Sequence, residues 1–233
     1  MRRAPIPWLA WALALPGIVP ASCAWAQAQD GGVPRPAAEA RVLGLEATDG
    51  LFRTPSAYVQ CGGAITTFAA RDRSATGGLL LGLGQRLELG IAAGDPDSAS
   101  LKISGSAKYN LLPEALITPA VSVGVLDAFG TSREGRSGYV VVSKYVIPYF
   151  VQALTGQRDL ALKLHGGYGG GLYQNRPFVG AELWGRQGFG GLAEVAAGRV
   201  SVGPRYYRGG VGVTLGLLEM KHVGGSVSYA VPL

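Results

Sequence analysis

The final stretch of the chain, His222-Val-Gly-Gly-Ser-Val-Ser-Tyr-Ala-Val-Pro-Leu233, alternates between two kinds of side chain. Successive residues of a β-strand point to opposite faces. Val223, Gly225, Val227, Tyr229, Val231 and Leu233 therefore share one face, and Gly224, Ser226, Ser228 and Ala230 share the other. A strand with one apolar face and one small, polar face must hide the first. If many strands carry the same pattern, a closed barrel in lipid turns every apolar face outward and leaves no backbone group unpaired.

The pattern does recur. Leu87, Leu89 and Ile91 oppose Arg86, Glu88 and Gly90, and Leu101, Ile103, Ala107 and Tyr109 oppose Ser100, Lys102, Ser104, Ser106 and Lys108. Further on, Val121, Val123 and Val125 oppose Ser122 and Gly124, and Leu160, Leu162 and Leu164 oppose Lys163 and His165. Val179, Ala181 and Leu183 oppose Gly180 and Glu182; Val211, Val213, Leu215 and Leu217 oppose Gly210, Gly212, Thr214 and Gly216. Charged residues make up only 15% of the chain and mean hydropathy is +0.22, against about 25% charged in ordinary soluble domains. Helical spans do not account for this, because after the N-terminal segment no uncharged apolar run reaches the length that crosses a bilayer. Even Gly77 to Ala93 is broken by Arg86 and Glu88.

Turn residues punctuate the runs at Gly94-Asp-Pro-Asp97, Leu112-Pro-Glu114, Asn175-Arg-Pro177, Arg186-Gln-Gly188 and Gly203-Pro204. The spacing predicts an all-β, transmembrane, antiparallel up-and-down β-barrel of about twelve strands. They fall near 63–70, 76–83, 86–93, 99–109, 116–126, 137–147, 159–169, 177–184, 189–196, 200–206, 209–218 and 223–233. Ten strands is the alternative, if 200–206 belongs to a loop. Tyr109, Tyr139, Tyr145, Tyr149, Phe150, Tyr206, Tyr207 and Tyr229 fall near strand ends, where an interfacial aromatic girdle belongs. The soluble competitor, a secreted β-sandwich, leaves an apolar face on every strand with nothing to cover it.

The N-terminus has the form of an export signal. Arg2 and Arg3 precede an apolar stretch from Ile6 to Val19, and Ala24-Trp25-Ala26 or Ala26-Gln27-Ala28 fits a cleavage site. Residues 1–26 are read as a cleaved signal peptide, rather than an anchor broken by Pro7 and Pro16 or a lipoprotein signal at Cys23. Its loss removes Cys23 and strands Cys61 without a disulfide partner. It also lowers the formal net charge from +6 to +4, since Arg2 and Arg3 leave with it. The remaining basic residues are dispersed, which argues against nucleic acid. The predicted location is the outer membrane of a Gram-negative-type envelope.

Residues 27–49, rich in Ala, Pro and Gly, read as a flexible periplasmic leader, and residues 50–233 as the barrel. The barrel region opens on Gly50-Leu-Phe-Arg-Thr-Pro-Ser-Ala57. This resembles the G-L-x-x-T-P-[ST]-A opening of the YjbH-like outer-membrane proteins associated with exopolysaccharide biosynthesis and secretion. Pro119-Ala-Val-Ser-Val-Gly-Val-Leu-Asp127 with Gly130-Thr131, Tyr139-Val-Val-Val-Ser-Lys144, Pro177-Phe-Val-Gly180 with Glu182, and Val202-Gly-Pro-Arg-Tyr206 are similar to later stretches of that family. The resemblance spans about residues 46 to 233 and implies a compact single-barrel member without the second repeat of the longest relatives. It implies a non-enzymatic platform or accessory in polysaccharide assembly or secretion, with outer-membrane lipid, the barrel-assembly machinery and polysaccharide or export components as partners.

Chemistry-bearing residues are few. Of the two histidines, His165 lies on the inward register beside Lys163, and His222 lies in the turn before the last strand. A lipid-modifying hydrolase using His165 needs a nucleophile and an orienting carboxylate within hydrogen-bond reach, yet no Ser follows in His165-Gly-Gly-Tyr168, and Ser143 and Glu182 are on other strands. Gly166-Gly-Tyr-Gly-Gly-Gly171 does not open a helix and is no phosphate loop. No metal-ligand spacing occurs, and no cofactor is expected. The inward register carries Arg86, Glu88, Lys102, Lys108, Lys144, Lys163, His165, Glu182 and Glu194. Pairing between these charges would rigidify the barrel, whereas a cationic excess would suit a narrow anion-preferring pore. Val227, Tyr229, Val231 and Leu233 form the expected assembly signal, with Leu233 in place of the usual terminal aromatic.

Overall fold

The computed structural model describes residues 50–59, 64–71, 74–84, 86–94, 101–115, 117–132, 134–146 and 160–230. The signal peptide, the leader, Tyr149, Phe150, Cys61, Val231 and Leu233 lie outside them. The described chain is all-β apart from two short 3-10 turns at Gly171–Tyr173 and Arg186–Gly188. Twelve strands follow one another: β1 (Ala64–Arg71), β2 (Ser74–Leu83), β3 (Leu87–Gly94), β4 (Lys102–Leu112), β5 (Ala120–Leu126), β6 (Ser137–Val146), β7 (Ala161–Gly169), β8 (Arg176–Trp184), β9 (Phe189–Ala196), β10 (Arg199–Arg208), β11 (Val211–Leu218) and β12 (His222–Ala230).

Each strand pairs antiparallel with its sequence neighbours in a single up-and-down sheet, and the sheet closes where β1 meets β12 along a ladder from Ile65↔Ala230 to Arg71↔Gly224. The segment near 200–206 is part of a full ten-residue strand. Gly203-Pro204, expected as a turn, lies within it. The ladder to β11 skips these two residues between Val202↔Leu217 and Arg205↔Thr214, because proline has no N–H to donate. Tight connections need backbone of positive φ, and Gly209 (58°) and Gly210 (85°) supply it between β10 and β11.

Burial alternates along the strands in the sense the sequence implies. Leu79, Leu89, Ile91, Ile103, Val179, Leu183, Leu215 and Val227 face outward and are exposed, Leu215 by 58%. Glu88, Lys108, Ser122, Ser143, Lys163, Glu182, Thr214, Ser226 and Ser228 face inward and are buried. Among the strand residues whose side chains are described, Lys144 and Arg208 are the charged ones on the outer register, both within two residues of a strand end. The buried charged side chains thus lie on the inner wall, among apolar ones, while the outer face is largely apolar.

The ends of the barrel differ in character. We term proximal the end where β1 starts and β12 finishes, and distal the opposite end. Tyr109, Phe189, Tyr206 and Tyr229 all face outward near the proximal end, with Phe189 and Tyr206 ring centroids 4.6 Å apart. Tyr145 and Tyr207, expected in that girdle, lie on the inward register against Ala161 and Trp184; Tyr139, also expected there, points into the lumen and meets Tyr173 edge-on. Its place on the inward register of β6, with Val141 and Ser143, accounts for this. The inward glycines of the Gly166–Gly171 run make room for such rings: a Cβ on Gly169 would collide with Tyr173.

Candidate functional site in the barrel lumen

The lumen is occupied by the chain itself. Residues 50–58, immediately before β1, fold into a turn inside the barrel, closed by a hydrogen bond from the Leu51 N–H to the Thr54 carbonyl (2.8 Å) and a Gly50↔Pro55 bridge. Leu51 and Phe52 are fully buried and pack with Leu192 and Leu218. Burial of each such side chain contributes about 1.5–3 kcal/mol. Inward glycines admit them: a Cβ on Gly180 would lie 2.7 Å from Leu51 Cδ2, and one on Gly216 would overlap the Phe52 ring.

Polar contacts hold the insert at every level. At its distal tip the Glu194 carboxylate accepts the N–H groups of Arg53 (3.1 Å) and Thr54 (2.9 Å). The Tyr173 hydroxyl donates to the Arg53 carbonyl, and the Arg53 guanidinium pairs with Glu219 at 3.1 Å. On the proximal side, Asn110 Nδ2 (2.8 Å) and Ser122 Oγ (2.6 Å) both donate to the Ala57 carbonyl, and the Ala57 N–H donates to Ser143 Oγ (2.8 Å). Tyr58 donates from its hydroxyl to Glu114 (2.7 Å), and the Lys163 ammonium lies 5.7 Å from the centre of its ring.

Behind the insert runs a chain of side chains contributed by five strands. Ser143 Oγ is 2.8 Å from His165 Nδ1, and His165 Nε2 is 3.0 Å from Glu182 Oε1. The second oxygen of Glu182 accepts from Trp184 Nε1 (2.9 Å) and pairs with the Arg205 guanidinium at 3.0 Å. Arg205 also donates to Thr214 Oγ1 and to the Gly50 carbonyl. Since Glu182 only accepts, the neutral ring carries its proton on Nε2. Nδ1 then accepts from the Ser143 hydroxyl, whose lone pair receives the Ala57 N–H. Register places these groups, because Ser143 pairs with His165 on β6–β7, and Glu182 sits opposite Lys163 on β7–β8.

Of the residues expected in the lumen, Glu88, Lys108, Lys163, His165, Glu182 and Glu194 are buried there. Glu88 and Lys108 pair across β3–β4 at 2.8 Å. Lys102 is half-buried on the inward register near the distal rim. Two placements are corrected. Arg86 lies exposed in the β2–β3 turn rather than on the inner wall. Lys144 is on the outer register, because the inward side chain of that pair is Ser143, and its ammonium reaches the Ala115 carbonyl (2.6 Å) and Glu114 (3.2 Å) at the proximal rim. In the assembly signal, Val227 and Tyr229 face outward and are exposed.

The expected cationic excess is therefore smaller. Arg86 and Lys144 leave the lumen and Arg205 enters it. Lys108 is matched by Glu88 and Arg205 by Glu182, while Glu194 is answered by backbone N–H groups. Sequence reasoning missed Asn110, Arg205 and the insert itself; the readable signal was Gly180 and Gly216 standing where an inner wall otherwise carries side chains. Among the described residues, no three His, Cys, Asp or Glu side chains are grouped to hold a metal ion. Compared with known protein families and curated proteins, the chain matches no family model and no curated sequence.

Proposed function

We propose that this chain is an outer-membrane β-barrel whose lumen is stoppered by its own residues 50–58, and that it serves as a platform or accessory in exopolysaccharide assembly or secretion. The observation that carries the membrane reading is the outer surface. Leu79, Leu89, Ile91, Ile103, Val179 and Leu215 are exposed on it together, forming a face that water does not tolerate at this extent and lipid does. The proximal belt of Tyr109, Phe189, Tyr206 and Tyr229 fits an interface.

The polysaccharide assignment rests on the resemblance to YjbH-like proteins. The stretch that carries it most clearly, Gly50 to Ala57, is the one the barrel encloses. A lumen filled by the insert, with Lys108 paired to Glu88 and Arg205 to Glu182, favours a partner-bearing platform over a narrow anion-preferring pore. Fractionation tests location: the mature chain should be recovered in outer membranes and shift in gel mobility on boiling. In planar bilayers the wild-type protein should give no discrete conductance, and its deletion should lower cell-surface polysaccharide. Recovery in the soluble periplasm would end the barrel reading, steady anion conductance would favour the pore, and unchanged polysaccharide would sink the assignment to that process.

A further inference from the structure

We propose that Ser143, His165 and Glu182 form a latent acyl-transfer centre, held shut by the insert, whose substrate is a short-chain carboxylic ester. The inference goes beyond the platform role and does not depend on it.

A nucleophile, a base and an orienting carboxylate stand in series at 2.8 and 3.0 Å, on adjacent strands and sealed from solvent. That is the geometry serine nucleophiles need. A structural hydrogen-bond chain alone would share it, so a second feature decides. Beside Ser143, two further donors, Asn110 Nδ2 and Ser122 Oγ, converge on one carbonyl oxygen, that of Ala57, at 2.8 and 2.6 Å. Paired donors at such distances hold the oxygen that becomes negative during acyl transfer. The insert thus sets its own carbonyl on these two donors, in the same residue whose N–H meets Ser143 Oγ. That N–H takes up one of the two lone pairs on Ser143 Oγ, and the insert's backbone fills the space an ester would enter, which keeps the centre silent. The Ala57 methyl is enclosed with Ala120 and Val141, so the acyl side of the site accommodates a group of acetyl size, while the polar wall suits a hydroxyl-rich alcohol.

With the insert displaced, Ser143 Oγ attacks the ester carbonyl carbon as its proton passes to His165 Nδ1. The carbonyl oxygen gains charge between Asn110 and Ser122. The ester C–O bond then breaks, and the alcohol leaves with the proton from His165. Water attacks the acyl-serine, again giving a proton to His165, and the carboxylic acid departs as Ser143 regains its hydrogen. Glu182 holds the ring in the tautomer that accepts from serine.

The test uses the full-length protein in detergent, folded as judged by heat-shifted mobility, with a fluorophosphonate probe and p-nitrophenyl acetate. Glu194→Ala removes the acceptor for the insert's tip, and a chain lacking residues 50–58 supplies a second opened form; conductance in planar bilayers verifies that the lumen is open. The opened barrel should become labelled at Ser143, found by peptide mass, and hydrolyse the acetate ester, whereas the wild type labels far more slowly. Ser143→Ala should abolish both, and His165→Ala should lower the labelling rate by about 10²–10⁴-fold. A folded, conducting variant that leaves Ser143 unmodified, or that labels equally after His165→Ala, would overturn the proposal while leaving the membrane assignment standing.

Discussion

Arg205 and Glu182 meet at 3.0 Å inside the lumen, bridging over β9 from β10 and β8, and both side chains are almost wholly buried. The same guanidinium reaches the Gly50 carbonyl, so one residue braces the wall and the insert together. Breaking a buried pair from one side strands the remaining charge and typically costs about 3–5 kcal/mol. Arg205→Leu should therefore destabilise the barrel by that order, measured as a lower urea midpoint for loss of the heat-shifted band. A midpoint within error of wild type would show that Glu182 is satisfied without Arg205.

Gly216 faces Phe52, and any side chain there must displace the ring. Gly216→Val is expected to unseat the insert while leaving the wall paired, which opens the lumen. The measurement is single-channel recording: brief openings in the variant, none in the wild type. A silent Gly216→Val barrel of normal fold would mean that residues 50–58 do not control the lumen.

The two faces of a strand should answer differently to a charge. Leu89→Arg or Ile103→Arg inserts a guanidinium into the outward surface, at about 2–4 kcal/mol if the position is near the bilayer centre. Ser104→Arg, on the half-buried inward register, should be milder. Thr214→Arg should not be mild, because it sets a second guanidinium against Arg205 Nε, which Thr214 Oγ1 accepts at 3.1 Å. Folding yields into lipid vesicles would rank these variants, and equal losses at Leu89 and Ser104 would refute the assigned faces.

Asp127 caps the β5–β6 loop by accepting the N–H groups of Thr131 (3.0 Å) and Ser132 (2.6 Å). Burial alone would raise its carboxyl; the hydrogen bonds from Ser132 and Thr131 outweigh that and hold it below the usual aspartate value. A depressed folded value stabilises the loop above the ordinary aspartate range and loses that contribution as pH falls through the depressed value. Protection factors for amide exchange at Thr131 and Ser132, corrected for the intrinsic pH dependence, should hold through mild acid and fall only below the ordinary range. A fall already near neutral pH would show that the carboxylate is not the cap.

The wall was legible because its rule is local. Leu89, Ile103, Leu183 and Leu215 announce their face through their immediate neighbours, and turn residues delimit the strands. β6 was harder, since Tyr139-Val-Val-Val-Ser143 has no polar alternation in its middle to show which residues point inward. The insert was harder still. Gly50 to Ala57 has no strand period, and its partners Glu194 and Arg205 lie 140 to 155 residues further along the chain. Ser143, His165 and Glu182 were all visible as residues, but only pairing of β6 with β7 and of β7 with β8 brings them into line.

The contacts from the insert to Glu194 and Arg205 span 140 to 155 residues, and the sheet is edgeless only once β12 has met β1. Loop closure over such distances must be met before the contacts repay it, so a chain of this topology folds slowly. Until the last strand arrives, both β1 and the growing end present unpaired N–H and C=O groups, a template for pairing with other chains. The covalent order that makes the finished barrel self-stoppered thus makes its unfinished form adhesive: until β12 meets β1, two open edges are on offer to any other strand.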